Sequence, residues 1–481
     1  MSEARLIVGP FNRVEGDLEV RLDTSAGQVQ RAEVCSPLYR GFERMLTGKT
    51  VADALTYAPR ICGICSVSQS VAAAGAMAGL GPGRVPLAGR HAVNLIHAVE
   101  NLADHFTHFY LFFMPDFARE IYKGESWYAE AAERFTAIRG AAAREALVAR
   151  SAWMEIMGVL AGKWPHTLSI QPGGSTRAVS RTEKARLGAM VAQFRRFLER
   201  STFGDDLDAV AALASRDALY AWAESHPASD FGRFVALSRA LDLAALGRTR
   251  NVHLSFGAYP GESGHLFSAG AFAEESMQLF DPATIAEDVS HAWYAGDGLS
   301  TPTEPGPAPD VNGSDRYSWC KAPRLAGQVA EVGALSRQLI AGHPLARDLA
   351  RGGANVEARV VARMLELSLV VPAMQRWVDD LDPDAPFIDH APLDGSGTGA
   401  GLTEAARGSL GHWLRAEDGR IVNYQIIAPT TWNFSPRDAA GTPGPLEQAL
   451  VGAPVRAGES SPVAVQHVVR SFDPCMVCTV H

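Results

Sequence analysis

Two cysteine pairs in C-x-x-C spacing lie near opposite ends of this 481-residue chain. Cys62 and Cys65 occur in "RICGICSVSQS". Cys475 and Cys478 occur in "DPCMVCTVH", which ends at His481. Within each pair the three-residue spacing places both sulfurs on one side of a helical turn. Four converging thiolates form a soft donor set suited to zinc, nickel or an iron–sulfur cluster, and such a site requires a fold that joins both ends of the chain.

Two other interpretations of the cysteines were weighed. Structural zinc sites use paired C-x-x-C motifs, but these usually lie about 15–20 residues apart and hold together a small domain. Here 410 positions separate Cys65 from Cys475. A thioredoxin-like redox motif needs a C-x-x-C beside a βαβ unit, and the sequence shows none. Disulfides are not expected in a large chain without a secretion signal, so metal binding or thiolate chemistry remains.

Charge and hydropathy exclude several classes of function. The formal net charge is −9 and no Lys/Arg block occurs, which argues against nucleic acid as a partner. The most apolar stretch, residues 70–89, contains several glycines and prolines and falls short of a membrane span of about 20 apolar residues. The N-terminal "MSEARLIVGP" lacks the features of a signal peptide. We therefore expect a soluble, cytoplasmic protein.

Periodicity predicts a mostly α protein with small β elements, an α+β fold. "DLEVRLDTSAGQVQRAEV" alternates apolar and polar residues around a turn and predicts a hairpin. The apolar residues of 91–114 recur at helical spacing and predict a buried central helix. Further helices are predicted within 134–162, 181–201 and 355–381, whereas the Gly/Pro-rich residues 254–264 and 301–315 predict loops. No long linker divides the chain, so residues 1–481 are expected to form one domain with its two ends together.

Eight segments in order resemble the large subunit of nickel–iron hydrogenases. They are "FNRVEGDLEV", "YRGFERMLTGKTVADALTYAPRICGIC", "ADHFTHFY", "GKWPHTLSIQPGGSTR", "YSWCKAPRL", "EAARGSLGHW", "NYQIIAPTTWNFSPRD" and "DPCMVCTVH". The resemblance runs from end to end of the chain. It implies the large-subunit fold of that family, in which a central helical bundle brings the N- and C-terminal segments to one metal site.

The resemblance implies that all four paired cysteines hold nickel. Cys65 and Cys478 would also bridge to an iron that carries cyanide and carbon monoxide ligands. Soft thiolates are suitable donors for nickel, and bridging sulfurs hold two metals close together. Such a centre cleaves H2 into protons and electrons, and Cys475 is expected to act as the base that accepts a proton.

Other family residues are expected around this centre. Arg407 would lie over the iron diatomics, and Pro429 and Thr430 would hydrogen-bond a cyanide nitrogen. Asp104 and Asp473 would orient the arginine and the C-terminal loop. Without the resemblance, Arg407 would be interpreted as a surface arginine at the start of a helix. Most family members have proline where this chain has Ala406.

Two more sites follow from the resemblance. Glu15 in "RVEG" would relay the proton away from the cysteine, although a lone strand glutamate is ordinarily a solvated carboxylate. The Glu43 carboxylate, the Ile426 carbonyl and His481 would bind magnesium or a similar divalent ion near the C-terminus. The rest of that ion's shell would be water.

Three departures from the common family pattern point to a branch. Most members have histidine where this chain has Asp17, and P-x-x-H where it has Ser66 and Gln69. Unlike histidine, glutamine cannot titrate near neutral pH. These departures resemble the cytoplasmic hydrogen-sensing branch, which signals to a histidine kinase. The alternative is an energy-conserving uptake hydrogenase.

Partners and maturation complete the expectations. Beyond the two pairs the chain has only Cys35 and Cys320, so electrons are expected to leave through a small subunit that carries iron–sulfur clusters. A metal-free or zinc-bound structural subunit of a respiratory complex is a different possibility, and the four intact cysteines argue against it. Because the sequence starts at Met1 and stops at His481, where catalytic members are trimmed, we expect maturation without cleavage of a tail.

Overall fold

Two long buried helices form the centre of the structure. The computed structural model describes residues 4–81, 83–390 and 393–481. Its α-helices are α1 (Phe42–Leu46), α2 (Ala54–Tyr57), α3 (Ser66–Ala78), α4 (Leu87–Thr107), α5 (Tyr128–Phe135), α6 (Ala141–Leu160), α7 (Arg181–Phe197), α8 (Leu207–Ala211), α9 (Arg216–Ser225), α10 (Asp230–Ala240), α11 (Ala334–Ala341), α12 (Pro344–Leu349), α13 (Val356–Asp380), α14 (Pro429–Asn433), α15 (Pro445–Leu450), α16 (Val463–Ser471) and α17 (Met476–Thr479).

The strands form small separate sheets. They are β1 (Ala4–Val8), β2 (Glu19–Ser25), β3 (Gln28–Cys35), β4 (Ile170–Gln171), β5 (Gly174–Ser175), β6 (Val252–Pro260), β7 (His265–Ala273), β8 (Ser276–Gln278), β9 (Ile285–Asp288), β10 (Leu299–Ser300), β11 (Ala322–Leu325), β12 (Ala330–Val332), β13 (Gly397–Ala405), β14 (Gly408–Glu417) and β15 (Arg420–Ile427). The sheet orders are β1-β2-β3, β10-β9-β11, β12-β6-β7-β8, β13-β14-β15 and β4-β5. All pairs are antiparallel except β12 with β6. The prediction of a helical protein with small β elements is confirmed.

The central helix α4 is buried on almost all sides. Its buried positions include charged and polar side chains as well as apolar ones, and it packs against α3, α6 and α13. After Thr107 the helix widens into a π-helical turn over His108–Phe113. The predicted buried central helix is therefore confirmed, with its last turn in a wider form. Since α4 carries Asp104 towards the interior, this burial places a carboxylate next to the segments that hold the cysteines.

The N-terminal hairpin and the C-terminal segment meet, as the sequence predicted. Strands β2 and β3 pair antiparallel, with Glu19 opposite Cys35. Beyond the hairpin, the backbone of Glu15 pairs with the last segment of the chain: its amide donates to the Pro474 carbonyl at 3.4 Å, and its carbonyl accepts from the Met476 amide at 2.7 Å. These two hydrogen bonds fix the position of the C-terminal cysteine pair against the start of the chain.

Helix α3 lies unusually close to strand β13 because glycines occupy the contact positions of the strand. A Cβ atom at Gly401 would lie 1.8 Å from the Ala72 carbonyl oxygen, and one at Gly399 would lie 1.9 Å from that of Ala76. No side chain fits at either position without moving the backbone. This close approach fixes helix α3, which begins directly after Cys65, relative to the sheet that carries Arg407.

Two sequence predictions were wrong. The predicted loop at 254–264 is largely strand: β6 covers Val252–Pro260, and all its residues except Pro260 are buried. Gly and Pro residues are also common in loops, but Gly257 lies within the strand with a φ of 87°, a conformation that glycine adopts easily. The sheet β13-β14-β15 was not predicted, and "EAARGSLGHW" lies in its first hairpin rather than at the start of a helix.

Across the three described ranges, no helix combines the length and the apolar character that a bilayer span requires.

The close contact of α3 with β13 predicts a strong effect of a small substitution. Gly401→Ala should destabilise the protein by at least about 1–3 kcal/mol, because the new methyl group overlaps a backbone carbonyl. The measurement is the midpoint of thermal unfolding. Gly395→Ala is the control, since a Cβ there meets nothing within 4 Å. Equal midpoints for the two variants would contradict the packing argument.

Candidate metal centre

All four paired cysteines converge on one buried point. The Sγ atoms of Cys62 and Cys475 are 3.5 Å apart, and those of Cys65 and Cys478 are 3.1 Å apart. The Cys475 and Cys478 sulfurs are also separated by 3.1 Å. The four sulfurs lie within 4.8 Å of one another, and all four side chains are buried. The fold thus brings together the two motifs that the sequence places at opposite ends.

Burial and crowding divide the four thiols into two states. Hydrogen bonds from Cys475, Cys478 and Cys65 hold the pKa of the Cys62 thiol well below its ordinary value. Burial, together with the hydrogen bond to Cys475, raises the pKa of Cys478 well above it. One thiolate is therefore stabilised by the protons of its neighbours. A bound cation would displace those protons, since thiolates rather than thiols are metal ligands.

Short backbone segments position each sulfur. Cys65 stands directly before helix α3, and Cys475 stands directly before α17. The amides of Ile64 and Cys65 point at the Cys62 sulfur, at 3.2 and 3.4 Å. These N–H groups favour the charged form of the sulfur.

Arg40 links the two cysteine motifs. Its guanidinium donates to the Ile61 carbonyl at 2.6 Å and also to the Val477 carbonyl. One cation therefore holds the backbone of both motifs. Sequence reasoning missed this role, although Arg40 lies within the quoted segment "YRGFER".

Arg407 lies in the hairpin turn between β13 and β14 and is held by two acids. Its Nη2 donates to Asp104 at 3.0 Å and to Asp473 at 3.2 Å, and its Nε donates to the Asp473 carbonyl at 2.9 Å. Burial raises the pKa of Asp104 to about 8. Despite burial, Arg407 lowers the pKa of Asp473. Of the two acids, Asp473 therefore carries the negative charge. The surface-arginine interpretation is wrong, since Arg407 is 3% exposed.

Asp473 also has a backbone role. Its φ of 57° lies in the left-handed region, which Asp tolerates better than most residues. This turn directs Pro474 and Cys475 back into the core. The acid that pairs with Arg407 therefore also shapes the cysteine loop.

Helix α14 supplies a further wall of the site. Pro429 is its first residue, and both Pro429 and Thr430 are buried. The Thr430 hydroxyl accepts a hydrogen bond from the Cys475 amide at 3.2 Å. The two residues therefore lie next to the cysteine loop, and their contact with a cyanide ligand stays a prediction.

Glu15 lies at the edge of the cluster with a half-buried side chain. Burial raises the pKa of its carboxyl, and the nearby Cys62 thiolate raises it further, while Arg407 opposes the shift. Its backbone is paired to the Cys475 segment. A carboxyl with a raised pKa beside a thiolate is suited to accept and release a proton.

Glu43, Ile426 and His481 meet at the C-terminus. The His481 Nε2 atom is 2.7 Å from the Ile426 carbonyl oxygen and 3.5 Å from Glu43 Oε1. The Ile426 amide donates to Glu43 at 2.9 Å. Lys321 lies 3.4 Å from Glu43, and this ammonium together with His481 lowers the pKa of Glu43 to about 2 despite burial. The three donors predicted for a divalent ion therefore converge.

The match to a family model decides which family this is. The model described as nickel-dependent hydrogenase matches residues 40–136 and 122–481. The chain belongs to the nickel-dependent hydrogenase family.

Individual hydrogenases are similar to this chain over its whole length. The periplasmic [NiFeSe] hydrogenase large subunit of Desulfomicrobium baculatum is 28% identical, covering 100% of this chain and 95% of that protein. The quinone-reactive Ni/Fe-hydrogenase large chain of Wolinella succinogenes is 25% identical, with 99% and 96% covered. The reduced Ni-Fe-Se hydrogenase of D. vulgaris Hildenborough has a TM-score of 0.84 at 28% identity, and both chains are covered completely. The fold is that of a hydrogenase large subunit.

The residues present fit a nickel–iron centre with polar iron ligands. Four buried soft sulfurs are suitable donors. The buried Arg407 Nη1 has no acceptor with hydrogen-bond geometry among the described residues, although Asp104 Oδ2 lies 2.7 Å away. Nη1 is therefore ion-paired with Asp104. Because Nη1 carries two N–H groups, one of them remains available to an acceptor ligand.

Two acids that support the hydrogenase site were not identified from the sequence. Glu100, on α4, accepts from the amides of Val67 and Ser68 at 2.8 and 2.9 Å, so it caps the start of α3 after Cys65. Asp116 binds Arg470 at 2.7 Å, and thereby holds helix α16 ahead of the C-terminal cysteines. The signal for Glu100 in the sequence is a polar residue within an apolar helix.

The convergence of the sulfurs predicts that each is indispensable. Serine at any of the four positions Cys62, Cys65, Cys475 and Cys478 should abolish H2-dependent activity and lower the nickel content, because the harder oxygen is a poor donor to nickel and no spare sulfur is near.

Cys320→Ser is the matched control. Its buried thiol is not part of the four-sulfur group and donates to the Lys321 carbonyl at 3.2 Å, a bond that a hydroxyl can also make. Retained activity in one of the four cluster variants, or loss in the control, would contradict the assignment of ligands.

Proposed function

We propose that this chain is the H2-cleaving large subunit of an uptake hydrogenase, which oxidises H2 and passes the electrons to a separate electron-transfer subunit. The observation that carries the proposal is the group of four buried cysteines beside the buried Arg407 guanidinium. The relative named as quinone-reactive supports a role in feeding electrons to an acceptor. When bound, a nickel–iron centre polarises H2 and accepts its electrons, and protein side chains have to remove the protons.

Proton removal is assigned to Cys475 and Glu15. The Cys475 sulfur is fully buried, so a proton on it cannot leave directly to water. Glu15 is half-buried, its backbone is tied to the Cys475 segment, and burial raises the pKa of its carboxyl, which favours acceptance of a proton. We therefore assign Cys475 as the base and Glu15 as the next proton acceptor towards the surface.

Arg407 orients and stabilises ligands within the pocket. Asp104 and Asp473 hold its guanidinium from two sides, and a remaining N–H of this group would donate to a cyanide ligand of the iron. Pro429 and Thr430 form the adjacent wall and are the proposed contacts of a second diatomic ligand. The arginine charge also favours thiolate over thiol in the cysteines below it.

A divalent ion, magnesium or similar, is proposed at Glu43, the Ile426 carbonyl and His481. Two hard oxygens and one imidazole are compatible with a hard cation that keeps several waters. His481 Nδ1 is 3.0 Å from the Cys478 carbonyl oxygen, so an ion on the same ring would fix the cysteine loop through it. The ion's proposed role is to hold the terminal segment over the pocket.

Electrons require a second polypeptide. Cys35 and Cys320 are the only cysteines outside the cluster, and each is buried without a second sulfur beside it. The chain therefore offers no ligands for an iron–sulfur relay. A small subunit that carries such clusters is the proposed partner.

The second candidate is a hydrogen sensor that signals to a histidine kinase. Its support is Gln69, whose amide nitrogen lies 4.0 Å from the Cys65 sulfur, a position where most family members carry a titratable histidine. The relatives favour uptake over sensing. A deletion strain distinguishes the two: loss of H2-dependent quinone reduction supports uptake, whereas unchanged quinone reduction with altered kinase phosphorylation supports sensing.

A cytoplasmic location remains a prediction. The relative from Desulfomicrobium baculatum is named periplasmic, and a partner subunit could carry this chain across a membrane. Cell fractionation followed by detection of the chain decides between the two compartments.

Infrared spectroscopy of the purified protein tests the proposed centre. Cyanide and carbonyl stretches fall where protein groups do not absorb, so bands in that region that change under H2 support the proposal. The absence of such bands in protein that contains nickel and iron would contradict it.

The proton path predicts a specific defect. Glu15→Gln should lower hydrogen–deuterium exchange activity on the order of a hundredfold or more, because an amide cannot relay a proton, while the infrared bands persist. Glu19→Gln on β2 is the control, since Glu19 is partly exposed and forms an ion pair with Arg21. Undiminished exchange in Glu15→Gln would place the proton path elsewhere.

A further inference from the structure

A continuous row of buried polar groups runs from Cys65 into the β13-β14-β15 sheet. Gln69 is one turn along α3 from Cys65, and its amide nitrogen lies 4.0 Å from the sulfur. The Gln69 oxygen lies 2.8 Å from His412 Nε2 on β14. His412 Nδ1 in turn lies 2.7 Å from the Tyr424 hydroxyl on β15. Gln69, His412 and Tyr424 are all fully buried.

The chemistry of each group fixes the direction of the row. A thiolate that binds a metal accepts hydrogen bonds and cannot donate them, so the Gln69 amide must turn its N–H towards Cys65. Its oxygen then accepts a hydrogen bond from His412 Nε2–H. The histidine nitrogen Nδ1 is left without a proton and accepts from the Tyr424 hydroxyl. Only one amide orientation and one tautomer satisfy every member of the row.

Burial keeps this arrangement constant. It lowers the pKa of His412 to about 3, an effect that His481 reinforces and Glu43 opposes. Burial also raises the pKa of Tyr424 well above its usual range. Both shifts favour the uncharged forms of His412 and Tyr424. The row orients the amide without exchanging protons with it.

We propose that His412 and Tyr424 are positioning residues that act through Gln69 to keep an N–H donor on the Cys65 sulfur. The proposal rests on the proposed function, because Cys65 accepts in this way only as a metal-bound thiolate. A hydrogen bond to a metal-bound sulfur withdraws electron density from the metals, so the row tunes the centre from a distance. The rigid contact of α3 with β13 keeps Gln69 in register with β14.

The first test is infrared spectroscopy of the assembled enzyme. Gln69→Met keeps the size of the side chain but removes the donor, so electron density returns to the metals and the carbonyl stretch moves to lower frequency. Tyr424→Phe should move it in the same direction by a smaller amount, because it acts through two neighbours. Tyr110→Phe is the control: its buried hydroxyl donates to Asp230, far from the cysteine row.

The second test reads the tautomer directly. Solid-state 15N NMR of the histidine-labelled enzyme should show His412 protonated at Nε2 and unprotonated at Nδ1, with its signals assigned by their loss in His412→Gln. Tyr424→Phe should change the His412 Nδ1 resonance. This readout does not depend on the diatomic ligands, so it decides the direction of the row even if the wild-type protein lacks those bands and the proposed function fails.

The outcomes separate the possibilities. A lower carbonyl frequency in Gln69→Met and Tyr424→Phe, with no change in Tyr110→Phe, supports the proposal. Wild-type frequencies in Gln69→Met, or a proton on His412 Nδ1, would overturn it. If Tyr424→Phe does not fold, Gln69→Met and the wild-type tautomer remain decisive.

Discussion

The structure depends on the approach of two cysteine loops from opposite ends of the chain. Cys62 and Cys475 are 3.5 Å apart in a buried environment, where more than one thiolate is unfavourable without a cation. Backbone pairing at Glu15 and the Arg40 guanidinium hold the loops together. The long buried helices and the glycine contact of α3 also hold the loops in place, because they fix the elements that carry these loops.

Electrostatics then give each group around the sulfurs a separate task. Arg407 supplies a permanent positive charge, which keeps Asp473 ionised while burial leaves Asp104 closer to its protonated form. Glu15, at the half-buried edge, has a raised pKa and is the group closest to solvent. The same desolvation that strengthens the arginine's interactions also makes the glutamate suitable for proton transfer.

The elements predicted correctly from the sequence are those that periodicity or the order of motifs determines. The hairpin β2-β3, the buried helix α4 and the convergence of the cysteines were all predictable, because each follows from a local pattern or an end-to-end resemblance. Strand β6 was not, since its Gly and Pro residues are also loop signals and only pairing with β7 and β12 decides between the two. The partners of Glu100 and Asp116 were out of reach, because contacts such as Asp116 with Arg470 join residues distant in the chain, which no spacing rule connects.

The central claim is that both cysteine pairs bind one nickel ion. X-ray absorption at the nickel edge of the purified protein measures this directly, because sulfur and lighter donors scatter differently and a neighbouring iron adds a heavy scatterer. The account predicts a nickel shell made of sulfur, with an iron nearby, and loss of one sulfur in Cys475→Ser protein. A shell of nitrogen and oxygen donors, or zinc in place of nickel, would contradict it.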